Sequence, residues 1–217
     1  MKSYYKTDIS TKNALKFDLV ATILQNPQQP TISCRTEMWM PEAGGVWYFD
    51  SQEMFNKNWL AYANKEVGLD ITEVLVFYRK AGYQHPSAHI DSALVGTSLQ
   101  PVCAGYNWVL EHDPTAEMVW YEPWWNADDR LQAEAAVEGK IAHPTFKAEL
   151  VNSGTMYYQE TPVEYLTERE RHSLSSDYLT ICRTNIPHNV QAGAKDRWCM
   201  SLRTYPMLLN TWADYIK

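Results

Sequence analysis

His89-Ile90-Asp91 sets an imidazole and a carboxylate two residues apart. On a β-strand, side chains two apart point to the same side, so both groups can converge on one ion. Tripeptides of this kind arise often by chance, and this one gains weight from a distant segment. In NIPHNVQAGAKDRWCMSLRTY, His188 precedes a turn over 191–196 that contains Gly193, and a strand then opens with Arg197. His89, Asp91 and His188 together make a two-histidine, one-carboxylate set, which holds a divalent metal on one face and leaves positions open for other ligands. Such mixed nitrogen and oxygen donors suit iron(II), although zinc, manganese or nickel accept them too. The bland alternative is an incidental HxD and a satisfied structural histidine.

Arg197 and Arg203 lie six apart in the last strand, so both can face inward with Cys199 and Ser201. An arginine buried there is expensive unless it meets an anion. A guanidinium fork grips a carboxylate in bidentate fashion, which implies a dicarboxylate ligand. Arg197 is the first choice for that anchor; Arg203 either pairs with a carboxylate of the chain or takes the role itself.

Asn107 is a candidate polar group of the pocket, whereas its neighbours Trp108 and Trp120 read as core. His85 stands four before His89, but Pro86 argues against a helix that would align them, leaving His85 as a substrate contact at most. His112, His143 and His172 fall in polar, turn-like settings and read as surface histidines. Arg183 and Asn185 are candidate substrate contacts at the mouth. The segment WYEPWWNADD, at 120–129, reads equally well as a substrate-covering lid or as a packing plug over a sheet edge.

The elements that must position these groups are mostly strands. TEVLVFYRK (72–80), HIDSALVGTSLQ (89–100), VCAGYNWVLEHD (102–113), AEMVWYE (116–122), GTMYYQ (154–159), YLTICRTN (178–185) and RWCMSLRTY (197–205) are β-branched, aromatic or alternating. TISCRTEMWM (31–40) is a further strand candidate. Helices are expected within 13–25, from an Asp50/Glu53 capping box through Val67 with Met54, Phe55, Trp59 and Tyr62 buried, around 127–139, and in the closing PMLLNTWADYIK. A parallel α/β sheet would need a helix after nearly every strand, and those are missing. The expected fold is therefore mainly β with flanking helices, in a sandwich or jelly roll. One domain spans 1–217, with 1–70 as N-terminal support and 72–205 as the core.

Nine Trp and fourteen Tyr agree with broad strands and an aromatic-lined cleft. The net charge of −7 and the lack of any basic run argue against nucleic acid and against an anionic membrane as partners. Cys34, Cys103, Cys182 and Cys199 are scattered with no CxxC pair, as in a reduced cytoplasmic protein. The opening residues have no apolar signal core, and no apolar run reaches membrane-spanning length.

The HxD pair, the distal His188 and an arginine nine residues beyond it resemble the 2-oxoglutarate/iron(II)-dependent oxygenase superfamily, near its prolyl-hydroxylase-like branch. HNVQAGAKDRWCMSLRTY is similar to the H-x-V-x(6)-R signature of that branch. FYRKAGYQHPSAHID resembles its Tyr-containing strand, loop and metal-ligand strand. The resemblance covers about 72–112 and 178–205. It implies a double-stranded β-helix, cupin-like, with iron(II) on His89, Asp91 and His188. The cosubstrate 2-oxoglutarate would bind through Arg197, and Tyr78 would line its pocket. It also implies hydroxylation of an amino acid, a peptidyl side chain or another small polar substrate by molecular oxygen, with release of succinate and carbon dioxide. Two rivals remain at this point: a cupin-like metal enzyme that does not use 2-oxoglutarate, and a non-catalytic jelly-roll module that binds a ligand on its Trp-rich surface.

Overall fold

A computed structural model describes residues 2–68, 70–95, 98–141, 147–153, 156–205 and 211–216. Two antiparallel sheets face each other as a β-sandwich. The first holds β1 (Tyr4–Ser10), β2 (Cys34–Met40), β3 (Gly44–Asp50), β4 (Asp70–Arg79), β7 (Ala104–Val109), β12 (Tyr178–Arg183) and β14 (Arg197–Tyr205), in the order β1-β12-β7-β14-β4-β3-β2. The second holds β5 (Ser87–Val95), β8 (Glu117–Tyr121), β9 (Lys147–Ser153), β10 (Met156–Pro162), β11 (Glu168–His172) and β13 (His188–Gln191), in the order β11-β8-β13-β5-β10-β9, with β6 (Ser98–Pro101) paired to β5.

Four pairings nest inside one another along the chain: β4 with β14, β5 with β13, β7 with β12, and β8 with β11. The outermost and innermost partners thus relate as the two arms of one long hairpin, wound through both sheets. This nesting is what carries His188, 99 positions on from His89, to the place directly opposite it.

Three helices, α1 (Leu19–Gln25), α2 (Ser51–Met54) and α3 (Lys57–Val67), cover the outer face of the first sheet. Strand alternation supplies the apolar surface they bury: Val74 and Val76 on β4, Tyr106 and Trp108 on β7, and Trp198, Met200 and Leu202 on β14 pack with Leu19, Ile23, Phe55 and Trp59. Gly44 lets β3 lie against β4 at this point. Its φ of +154° is open to glycine, and a Cβ there would sit 2.1 Å from the Tyr78 carbonyl oxygen. A fourth helix, α4 (Arg130–Val137), is capped by Asp129 and buries Ala133, Ala136 and Val137.

The single helix expected from Asp50 to Val67 is two. Asp50 caps the first through Gln52 N–H, but Phe55 turns extended and pairs with Leu15. The peptide N–H groups of Lys16 and Asn56 bond across this break to Met54 and Ala14. Anchoring the 13–15 segment, also through the Asn56 side chain, outweighs helical continuity. Tyr62, expected in the buried stripe, is 42% exposed, whereas Met54, Phe55 and Trp59 are buried. Within 13–25 only Leu19–Gln25 is helical, and the closing segment holds a 3-10 turn at Trp212–Tyr215, with 206–210 outside the described residues. The strand expected over 154–159 is present from Met156, and residues 154–155 lie outside the description. No described helix is long and apolar enough to cross a membrane.

Candidate metal centre

β5 presents His89 and Asp91 on one side, as their spacing requires, and β13 sets His188 directly across from His89. One donor atom from each of the three lies within 4.8 Å of the other two. His89 Nε2 is 3.5 Å and His188 Nε2 is 3.8 Å from Asp91 Oδ1. His188 Nδ1 lies 2.9 Å from the Ile186 carbonyl oxygen. A donating Nδ1–H there leaves the Nε2 lone pair facing Oδ1, the second-sphere contact that fixes a metal-binding tautomer.

Asp91 is prepared from its other oxygen. Arg203 Nη2 donates to Oδ2 at 2.9 Å, and both residues are buried. Oδ1 is thereby left for an ion. Burial pushes the Asp91 carboxyl up, but the Arg203 guanidinium, followed by the two imidazoles, outweighs it and holds the group below its usual range. Burial and the adjacent His188 ring pull His89 down to about 3, with His85 and Arg79 adding to the effect. Burial lowers His188 as well, against the attraction of Asp91. His89 keeps 31% of its side chain exposed; solvent along that edge works against its shift and marks the side from which the centre is reached. Two neutral imidazoles and one ionised carboxylate are the protonation states that metal binding needs.

Arg197, Cys199, Ser201 and Arg203 turn into the sandwich, as their alternation with Trp198, Met200 and Leu202 demands. Arg197 is 5% exposed, its Nε has no hydrogen-bond partner among the described residues, and its charge is felt at the buried Cys182 thiol. Arg203, the alternative anchor, is committed to Asp91. Across β12, β7 and β14, Thr180, Asn107 and Ser201 stand side by side in one row. Gly105 lies next to that row, where a Cβ would come within 3.1 Å of both Arg203 Nη1 and Ser201 Oγ. Thr180 Oγ1, Asn107 Oδ1, and Nε and Nη1 of Arg203 are all buried without partners among the described residues. Orphaned polar atoms at this density mark a place meant for water or a polar ligand.

Tyr78 lies elsewhere. It pairs with Trp198 on the outer face, stacks on Trp198 and Trp39, and donates its hydroxyl to Asp196. The same alternation that turns Arg197 inward excludes Tyr78 from the interior, a correction to its expected place in the cosubstrate pocket. Arg183 and Asn185, expected at the mouth, hold the 126–129 loop instead: Arg183 bonds Asn185 and Asp128, and Asn185 donates to the Ala127 carbonyl. Trp125 packs edge-to-face on Trp124 and is buried with Ala136 and Val137, which gives this segment the packing of a plug. His85 is held in its loop, with Nδ1 3.0 Å from the Ser87 carbonyl. His172 lies half-buried in the edge strand β11, with its Nε2 buried, rather than in a turn, and His143 lies outside the described residues. A recess of about 500 Å³ lined by Lys12, Asn13, Asn56, Lys57, Asn58 and Trp59 includes none of the metal-centre residues. Sequence reasoning missed Thr180 and Gly105; the β12–β7 register that joins them to Asn107 was the signal, and it exists only in the folded sheet. No family model matches the chain, and no curated protein matches it either.

Proposed function

We propose that this protein is an iron(II)- and 2-oxoglutarate-dependent oxygenase that hydroxylates an amino acid, a peptidyl side chain or another small polar substrate. The observation that carries this reading is the pairing of two features in one interior. His89, Asp91 and His188 converge with Asp91 Oδ1 left uncommitted, and Arg197 is buried on the facing sheet with an unpartnered Nε. A metal site alone fits many proteins. A buried guanidinium whose Nε finds no partner among the described residues, although Asp113 and Asp196 line the same small cavity, leaves a donor for an anionic ligand.

The nested strand pairs support the jelly-roll form of the fold, since one long hairpin wound through two sheets is what a double-stranded β-helix is. Bound iron(II), with the 2-oxo acid, would supply the oxygen chemistry, and the chain would supply binding and orientation. In this reading His89 Nε2, His188 Nε2 and Asp91 Oδ1 hold the ion. Arg203 keeps Asp91 ionised and fixed. Arg197 takes the distal carboxylate of 2-oxoglutarate, and the orphaned Asn107 and Thr180 atoms meet the polar parts of what lies between. The exposed edge of His89 faces the arriving substrate.

The test is succinate formation from 2-oxoglutarate by purified protein loaded with iron(II) under air. Turnover that disappears in His188→Ala and is weakened through KM in Arg197→Met is expected. Metal binding with no succinate, with or without added amino acids and peptides, would contradict the 2-oxoglutarate reading and favour a cupin-like metal enzyme.

A further inference from the structure

Trp120 stands beside His188 in the β8–β13 ladder, on the same face, so a metal ligand and an indole are direct cross-strand neighbours. Trp120 is fully buried, and its Nε1–H donates to the Arg183 carbonyl at 2.7 Å. Tyr4, on β1 of the facing sheet, stacks on Trp120 with ring centroids 5.8 Å apart and planes 19° from parallel. His172 then lies flat on Tyr4, at 3.8 Å and 3°. Tyr4 is half-buried, and the Lys2 ammonium is 5.9 Å from its centroid, so the stack runs from the metal centre to the open edge of the sandwich. Two larger aromatic groups, Trp39/Trp47/Tyr78/Trp198 and Phe55/Trp59/Trp108, pack on the outer face of the first sheet, away from His89, Asp91 and His188.

We infer that Trp120 and Tyr4 form an electron relay that discharges the metal centre when oxygen is activated with no substrate in place. This rests on the oxygenase reading above. Trp120 would give the oxidised centre one electron per passage, and two passages, with two protons taken from water, would return it to iron(II). The Trp120 N–H stays bound to a backbone carbonyl that cannot take a proton, so this ring passes an electron and keeps its hydrogen. Trp120 recovers the electron from Tyr4, whose phenol releases its proton to water and becomes a neutral radical. A soluble hydrogen-atom donor of the ascorbate or thiol class restores the phenol and is itself oxidised by one electron. Near-parallel overlap of the Tyr4 and Trp120 rings favours transfer between them, and His172 holds the Tyr4 ring plane in place.

The full chain loaded with iron(II) is mixed, without substrate, either with hydrogen peroxide or with oxygen and 2-oxoglutarate. Each mixture is freeze-quenched for electron paramagnetic resonance and digested for peptide mass spectrometry; metal-free protein is the blank. The expected result is a tyrosyl radical that ascorbate removes and that falls several-fold in Tyr4→Phe, while oxygen insertion into Trp120 rises. Tyr5→Phe, whose ring faces the other way toward Trp212, should leave the signal unchanged. Calorimetric metal titration of Tyr4→Phe, matching the parent, shows that the variant is intact. A Tyr4-dependent radical with peroxide but no succinate from 2-oxoglutarate keeps the relay and overturns the cosubstrate reading. Succinate formation with no Tyr4-dependent radical and no Trp120 oxidation does the reverse. No Tyr4-dependent signal in either mixture overturns the relay whatever the succinate assay shows.

Discussion

The two faces of β14 use the same backbone for opposite purposes. Outward, Trp198, Met200 and Leu202 bury apolar surface against the helices. Inward, Arg197, Ser201 and Arg203 place charge and hydroxyl in an interior where Arg197 Nε and Arg203 Nε and Nη1 have no partner among the described residues. Burial on the first face stabilises by removing apolar area from water. Burial on the second costs free energy that only a partner can offset. The outer face therefore stabilises by apolar burial, whereas the inner face is stable only where its charges are paired, as Arg203 is with Asp91, and its orphaned atoms are organised for a ligand.

Substitutions should separate the two. Arg203→Ala is expected to have the largest effect, because it strands the Asp91 carboxylate: a loss of about 3–5 kcal/mol in denaturant unfolding, with weakened metal binding as well. Met200→Ala should cost about 2–5 kcal/mol by the same unfolding assay and leave calorimetric metal affinity unchanged. Equal damage to metal binding from both would erase the distinction. Arg197→Met should leave stability unchanged or raised while weakening 2-oxoglutarate binding about ten- to a hundredfold, the value of a charge-assisted contact. Tyr78→Phe should cost only about 1 kcal/mol through its lost bond to Asp196, with no change in cosubstrate affinity.

Acid should act on the inner face first. His89 and His188 are lowered from the ordinary 6.5, so below that value the unfolded chain binds protons that the folded rings refuse. Stability of the metal-free protein should fall as pH drops from 6.5, less from His89 than its shift alone implies because of its open edge. The share from Asp91, also lowered, is whole above its ordinary carboxylate value and is lost as pH falls from there through the folded one. Melting temperature against pH checks this, and His188→Gln should flatten the decline. At pH 7 metal binding should release almost no protons, so its calorimetric heat should not vary with the ionisation heat of the buffer.

His89 and Asp91, two of the three residues that could hold a metal ion, were legible because an i, i+2 pair on a strand needs no tertiary information, and the inward direction of Arg197 was legible from the alternation of its strand. The direction of Tyr78 was not: its neighbour in the ladder, Trp198, decides the face, and that register is invisible in sequence. Arg203 was recognised as inward, but its partner Asp91 comes from the other sheet. β11, ERERH, has no apolar alternation because it is an edge strand carrying charge. β13 is four residues long and begins at His188 itself, so that residue reads as the lead into a turn. The two-helix break at Phe55 depends on a contact with Leu15 far away in sequence.

The most direct test is a crystal structure with manganese and N-oxalylglycine, an inert analogue of 2-oxoglutarate. The expected result is one ion bonded to His89 Nε2, His188 Nε2 and Asp91 Oδ1, with the distal carboxylate of the analogue on Arg197 and Arg203 still bound to Asp91. An ion bound elsewhere, or an analogue whose distal carboxylate does not meet Arg197, would contradict the account.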